Sequence, residues 1–180
     1  MMKQPTADQS TGAPPTQTRV ALDRSTYLPF FLSQLANGIS RGASRVYLKI
    51  FGIGVVDWRI LSVLALQPGS TAQDVCDALG LDKASASRSL RDLFKDGRIL
   101  SRPSSRSARS AIFSLTDEGH ALHDRVLAVA LAREQVLLQG VSAEEKDAVL
   151  ALLRKLSLNL PSIETFDAEL ISGGEDPDTR

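Results

Sequence analysis

Leu81-Asp82-Lys83-Ala84-Ser85-Ala86-Ser87-Arg88-Ser89-Leu90-Arg91-Asp92-Leu93-Phe94-Lys95-Asp96-Gly97 combines a helical apolar spacing with a run of positive charge. Leu90, Leu93 and Phe94 fall on one side, which predicts a helix over about 82–96 held to the core by those three residues. Its first half carries Lys83, Ala84, Ser85, Ser87, Arg88 and Arg91. Small and hydroxylated residues let a helix approach base edges, and Ser and Arg then reach bases or phosphates. Gly97 stands where a left-handed residue closes a helix, and Gly80 does the same for the segment before it.

That preceding segment opens at Thr71, with Asp74 placed to reach back to the cap. A short helix, a tight Gly-containing turn and a second helix result. Beyond Gly97 the period changes. Ile99-Leu100 and Ile112-Phe113-Ser114-Leu115 read as strands around the polar loop Ser101 to Ala111, so a β-hairpin is expected. Helix, turn, helix and hairpin together make a winged helix-turn-helix. The fold class is mainly α with a small β-hairpin wing.

The charge is local. Residues 82–109 hold eight bases, Lys83, Arg88, Arg91, Lys95, Arg98, Arg102, Arg106 and Arg109, against Asp82, Asp92 and Asp96. The whole chain has 21 basic and 21 acidic residues and a formal net charge of zero, so no uniformly basic coat exists. Clustered cations suit phosphates, because neutralised phosphates release condensed counterions. Arg106 and Arg109 lie in the hairpin loop, where a guanidinium can enter a narrow minor groove. A charge run of this kind is otherwise a solvated face.

Long helices flank this centre. Leu28, Phe31, Leu32, Leu35, Ile39, Val46 and Ile50 mark a helix over about 24–50, and Val56 to Leu66 a second. Thr116 caps a helix that runs to about Gly140, and Ser142-Ala143-Glu144-Glu145 opens another that carries Val149, Leu152, Leu153, Leu156 and Leu160. Residues 1–21, rich in Pro, Gln, Thr and Ser, are expected to be disordered. Residues 161–180, with six acids and one base, are expected to be a frayed acidic tail in which Ile163, Phe166, Leu170 and Ile171 could pack one short helix. The expected organisation is dimerisation helices at 22–52 and 117–160 around a winged domain at 53–116. With 180 residues, no apolar run of about 18 and no signal-like start, a soluble cytoplasmic chain is expected.

The segment Leu81 to Leu90, the exit Leu93 to Ile99, Leu115-Thr116-Asp117-Glu118-Gly119 and Trp58-Arg59-Ile60-Leu61 together resemble the multiple-antibiotic-resistance regulator (MarR) family of transcription factors. The resemblance covers about residues 24–160. It implies a homodimer in which the first, fifth and sixth helices of two chains interleave over a pseudo-palindromic DNA operator, and a repressor released by a small effector. The flanking apolar residues agree with a dimer, since a small winged domain needs fewer of them; a closed monomer core is the alternative. In the wing the family carries Asp-x-Arg. Here the positions hold Ser107, Ala108 and Arg109, so the Arg is kept and the Asp is Ser.

The resemblance also places an effector crevice near Phe31, Leu35, Ser40, Arg41, Arg45, Trp58 and Arg59. An arginine there could pair with a carboxylate or phosphate, and Trp58 could stack on a ring. Trp58-Arg59-Ile60-Leu61 with Asp82-Lys83 is similar to members that sense aromatic acids or their acyl thioesters. Trp58 also reads as a plain core residue.

The remaining chemistry is sparse. Cys76, the single cysteine, sits with Val75 and Leu79 on a packed face and reads as a buried thiol more readily than as a redox switch. His120 and His123, with Glu118 and Asp124, are a poor metal signal on a largely exposed helix. No cofactor motif, catalytic triad or phosphate loop is present, so an enzyme is not expected. The competing reading is a winged-helix protein-interaction module that does not bind DNA.

Overall fold

The computed structural model describes residues 22–103 and 111–173. The chain divides into two compact units, Met1–Gly42 and Ala43–Arg180. In the first, Ser25 donates from its backbone N–H (2.8 Å) and hydroxyl (2.7 Å) to Asp23 Oδ1. This holds the Asp23 carboxyl below the usual carboxylate range, the hydroxyl bond contributing most. The helix α1 (Leu28–Phe51) begins here, and its Phe30, Phe31, Leu32, Leu35 and Ile39 are exposed.

The second unit is built on α2 (Val55–Leu66), whose Ile60, Leu61 and Leu64 are inaccessible to solvent. Such complete burial removes apolar area from water, worth about 1.5–3 kcal/mol for each side chain of this size. α3 (Ala72–Leu79) and α4 (Lys83–Lys95) pack on α2 and on each other, with Val75, Leu90 and Leu93 in the same core. Tyr47, from the last turns of α1, joins them.

The expected caps form. The Thr71 hydroxyl accepts from the Asp74 N–H at 3.2 Å, and an Asp74 carboxylate oxygen accepts from the Thr71 N–H at 2.7 Å. Gly80 (φ 61°) and Gly97 (φ 70°) occupy the left-handed region that favours glycine.

β2 (Ile99–Pro103) and β3 (Ala111–Leu115) pair antiparallel, Ile99 opposite Leu115 and Pro103 opposite Ala111. A two-residue strand absent from the sequence reading, β1 (Ser70–Thr71), adds to the other side of β3, giving the order β1-β3-β2. Two residues have no period, so nothing in the sequence announces it. The strands reach further toward the loop than the apolar pairs suggested, because ladder bonding carries Ser101, Arg102 and Pro103 along.

α5 (Asp117–Leu137) starts from Thr116, whose hydroxyl accepts from the Gly119 N–H at 3.0 Å and donates to the Gly97 carbonyl at 2.8 Å. Gly119 lies directly on the Arg98 carbonyl. A Cβ there would sit 2.0 Å from that oxygen, so only glycine fits. The exit of α4 and the start of α5 are thereby fixed to one another.

α6 (Ala143–Ser157) has the expected capping box between Ser142 and Glu145. It has no buried residue, although Lys146 reaches Glu134 of α5 at 2.9 Å. The region read as a frayed tail that could pack one short helix contains the helix α7 (Leu160–Gly173). Pro161 is no obstacle, because a first-turn residue has no intrahelical N–H to lose.

Candidate nucleic-acid interface

α4 separates its residues cleanly. Ala86, Leu90 and Leu93 are buried, while Lys83, Ala84, Ser87, Arg88, Arg91 and Lys95 are exposed. At about 100° per residue the exposed set shares one arc of about 140°, with Arg91 near its centre and Arg88 and Lys95 opposite the buried stripe. Asp92 and Asp96 fall outside that arc. Among the described residues, Lys83, Arg88, Arg91 and Lys95 form no ion pair. A basic row facing water without neutralising partners keeps its field for an anionic surface.

The start of the helix is held by Asp82. Its carboxylate accepts from the Ser85 hydroxyl (2.7 Å) and the Ser85 backbone N–H (2.8 Å). These bonds, the hydroxyl one first, hold the Asp82 carboxyl below the usual carboxylate range; Arg88 adds a smaller attraction.

The expected residues divide accordingly. Lys83, Ser87, Arg88 and Arg91 share the exposed face. Ser85 is half-buried and spends its hydroxyl proton on the cap, leaving it only as an acceptor. Arg106 and Arg109, with Ser107, lie outside the described residues. Phe94 does not anchor α4: it is 53% exposed and lies on the basic face, and Ala86 takes the inward position. The inward row steps 86, 90, 93, and position 94 is one residue too far around. The geometry adds Lys95, which the periodic spacing from Arg88 and Arg91 could have supplied.

The effector candidates fall into both units. Phe31, Leu35 and Arg41 are exposed and Ser40 half-buried in the first. Arg45, exposed, and Trp58 and Arg59, both half-buried, belong to the second. Trp58, read either as a stacking surface for an effector ring or as a plain core residue, packs against the core and stacks on the His123 ring, with centroids 5.2 Å apart and planes at 27°. His123 is accordingly not on an exposed face: its side chain is 14% accessible. The contact joins residues far apart in the chain, so no local pattern could reveal it. Cys76 is buried. Among the described residues no group of three or more His, Cys, Asp or Glu could hold a metal, and no helix is long and apolar enough to cross a membrane.

The fold and this face define a winged helix-turn-helix protein. The profile of the MarR family matches residues 51–110. The crystal structure of a MarR/EmrR family transcriptional regulator from Acinetobacter sp. ADP1 is 32% identical, covering 78% of this chain and 99% of that one at a TM-score of 0.73. The chain belongs to the MarR family of transcriptional regulators.

The HTH-type transcriptional regulator BilQ of Clostridium symbiosum (strain WAL-14163) is 29% identical over 90 residues, 50% of this chain. The chain spans 62% of the length of that curated relative. The S. aureus MepR–DNA complex shares the fold at 23% identity and a TM-score of 0.66, covering 77% of this chain and 99% of that one.

Proposed function

We propose that the chain is a cytoplasmic, sequence-specific DNA-binding regulator that works as a homodimer, most simply a repressor released by a small effector. The observation that carries this reading is the basic face of α4, without an ion pair among the described residues, with Lys83, Ser87, Arg88 and Arg91 on one exposed arc and its acids outside it. On this reading Ser87, Arg88 and Arg91 meet base edges and phosphates in the major groove, Lys83 meets phosphate, and Arg106 and Arg109 reach the minor groove. Ser85 serves the helix cap and meets the duplex only as an acceptor. The MepR–DNA complex supports the reading by sharing the fold.

The dimer reading rests on apolar exposure. Leu152, Leu153, Leu160, Ile163, Phe166 and Leu170 of α6 and α7 face water in one chain. Surfaces of this kind are covered by a partner when they are functional. Residues 22–52 and 117–160 would supply the dimer and 53–116 the winged domain, so that two α4 helices meet half-sites about one helical turn apart. An effector, an aromatic acid or its acyl thioester, would bind near Phe31, Leu35, Ser40, Arg41, Arg45, Trp58 and Arg59 and shift that spacing.

A duplex from the region upstream of the chain's own gene, compared with a scrambled duplex at fixed salt, tests the reading. Wild type is expected to prefer the upstream duplex, and an Arg88→Ala, Arg91→Ala double variant to lose that preference. Equal binding of both duplexes by the wild type, or unchanged preference in the folded double variant, overturns it.

A further inference from the structure

α7 follows α6 after only Leu158 and Asn159 and extends past the stretch that resembles the family, about residues 24–160. Every side chain described from position 160 to 172 is exposed. An isolated helix of this length is marginal in water, so a 14-residue helix that buries nothing in its own chain needs a surface to lie on. Ile163, Phe166 and Leu170 share an arc of about 60°, bordered by Glu164 and Asp167 on one side and by Glu169 on the other. α7 has no base.

The last turns of α1 are the converse. Arg45, Leu48 and Lys49 are exposed and share an arc of about 100°, and α1 has no acid along its 24 residues. Among the described residues, none of these five charges forms an ion pair. One face is apolar with an acidic border, the other is basic around an exposed leucine, and a single chain leaves both open.

We propose that α7 of one copy docks on the last turns of α1 of a second copy. Ile163, Phe166 and Leu170 cover Leu48, while Glu164, Asp167 and Glu169 meet Arg45 and Lys49. The proposal rests on the dimer reading and adds to it a clasp keyed by charge, outside the helices that the family resemblance assigns to the dimer.

Two arguments select a second copy as the occupant. Both complementary faces belong to one sequence, so a two-fold pair makes the contact twice, α7 of each chain on α1 of the other. α7 also continues directly from α6, whose open apolar row belongs to the proposed dimer surface. The acidic border disfavours the alternative pairing of α7 with a second α7, because like charges opposed across an interface are costly. At the rim of such a contact the charges set partner choice and register, and the apolar side chains supply the affinity. Arg45 is also an effector candidate, so an anionic effector would compete with α7 for it.

Sedimentation equilibrium of full-length charge-reversal variants tests the clasp. One variant carries Glu164→Lys, Asp167→Lys and Glu169→Lys, the other Arg45→Glu and Lys49→Glu. Each is expected to raise the dimer dissociation constant about tenfold or more, since attraction becomes repulsion in both copies of the contact. An equimolar mixture of the two is expected to regain near-wild-type affinity, because each α7 then meets an α1 of opposite charge. A contact within one chain would not be repaired by mixing. A chain carrying all five reversals is expected to regain affinity as well, which separates lost docking from lost folding. A dimeric wild type whose affinity is unchanged in both variants, or two weakened variants that mixing does not repair, overturns the proposal and leaves the dimer reading standing. A monomeric wild type overturns the dimer reading and this contact with it.

Discussion

The winged region and the C-terminal helices carry similar apolar patterns and treat them in opposite ways. α2, α3 and α4 bury Ile60, Leu61, Leu64, Val75, Ala86, Leu90 and Leu93 against one another. α6 has an equally regular row and buries nothing within the chain. Helical periodicity shows that a face is apolar; it does not say whether the same chain covers it. In the winged region, short connections ending in left-handed glycines fold the faces onto each other. After Gly140 no strand or further layer returns over α6 and α7 among the described residues, and their stripes stay open.

The difference can be broken or sharpened by substitution. Leu61→Ala leaves a cavity in a side-chain environment with no solvent access and is expected to destabilise the chain by about 2–5 kcal/mol in urea denaturation. Leu153→Ala on α6 is expected to change the stability of the isolated chain by less than about 0.5 kcal/mol. Its effect should appear in the sedimentation equilibrium of the proposed dimer. Comparable destabilisation at both sites under conditions where the protein is monomeric would erase the contrast.

Gly119→Ala tests the joint between the winged region and α5. The new Cβ must displace the Arg98 carbonyl or the first turn of α5, at a cost of about 1–3 kcal/mol by calorimetry. Thr116→Ala removes the cap of α5 and the bond to the Gly97 carbonyl, and about 1 kcal/mol is expected.

The smallest effect is a pH dependence. Bonds from Ser85 lower the Asp82 carboxyl below its unfolded value of 3.8. Its contribution is therefore present above that value and is lost as pH falls through the folded one. Asp82→Asn removes that contribution, so it is expected to lower stability slightly at neutral pH, where the contribution is complete, and to flatten the acid limb of a denaturation curve below about pH 4.

The sequence made the winged architecture legible because its signals are local. Thr71 with Asp74, Ser142 with Glu145, Gly80 and Gly97 each act within one turn of their own position. The exposed arginines of α4 were readable for the same reason, since a period of 3.6 fixes which residues share a face. Features that depend on contact across the chain were not readable. β1 exists only because β3 pairs with it. Phe94 was assigned inward by its apolar character, although its angular position turns it outward. The acidic composition after Pro161 suggested fraying and its apolar residues one short helix; the spacing of Leu160, Ile163, Phe166 and Leu170 supports that helix, α7. The Trp58–His123 stack joins two helices separated by the entire winged region.

The central claim is that the exposed arc of α4 faces phosphates and bases and is not merely a wet surface. The salt dependence of duplex binding measures this most directly. The slope of log affinity against log salt is expected to flatten by about 1 for each of Arg88→Ala and Arg91→Ala. The same slope in both folded variants as in the wild type would contradict the account.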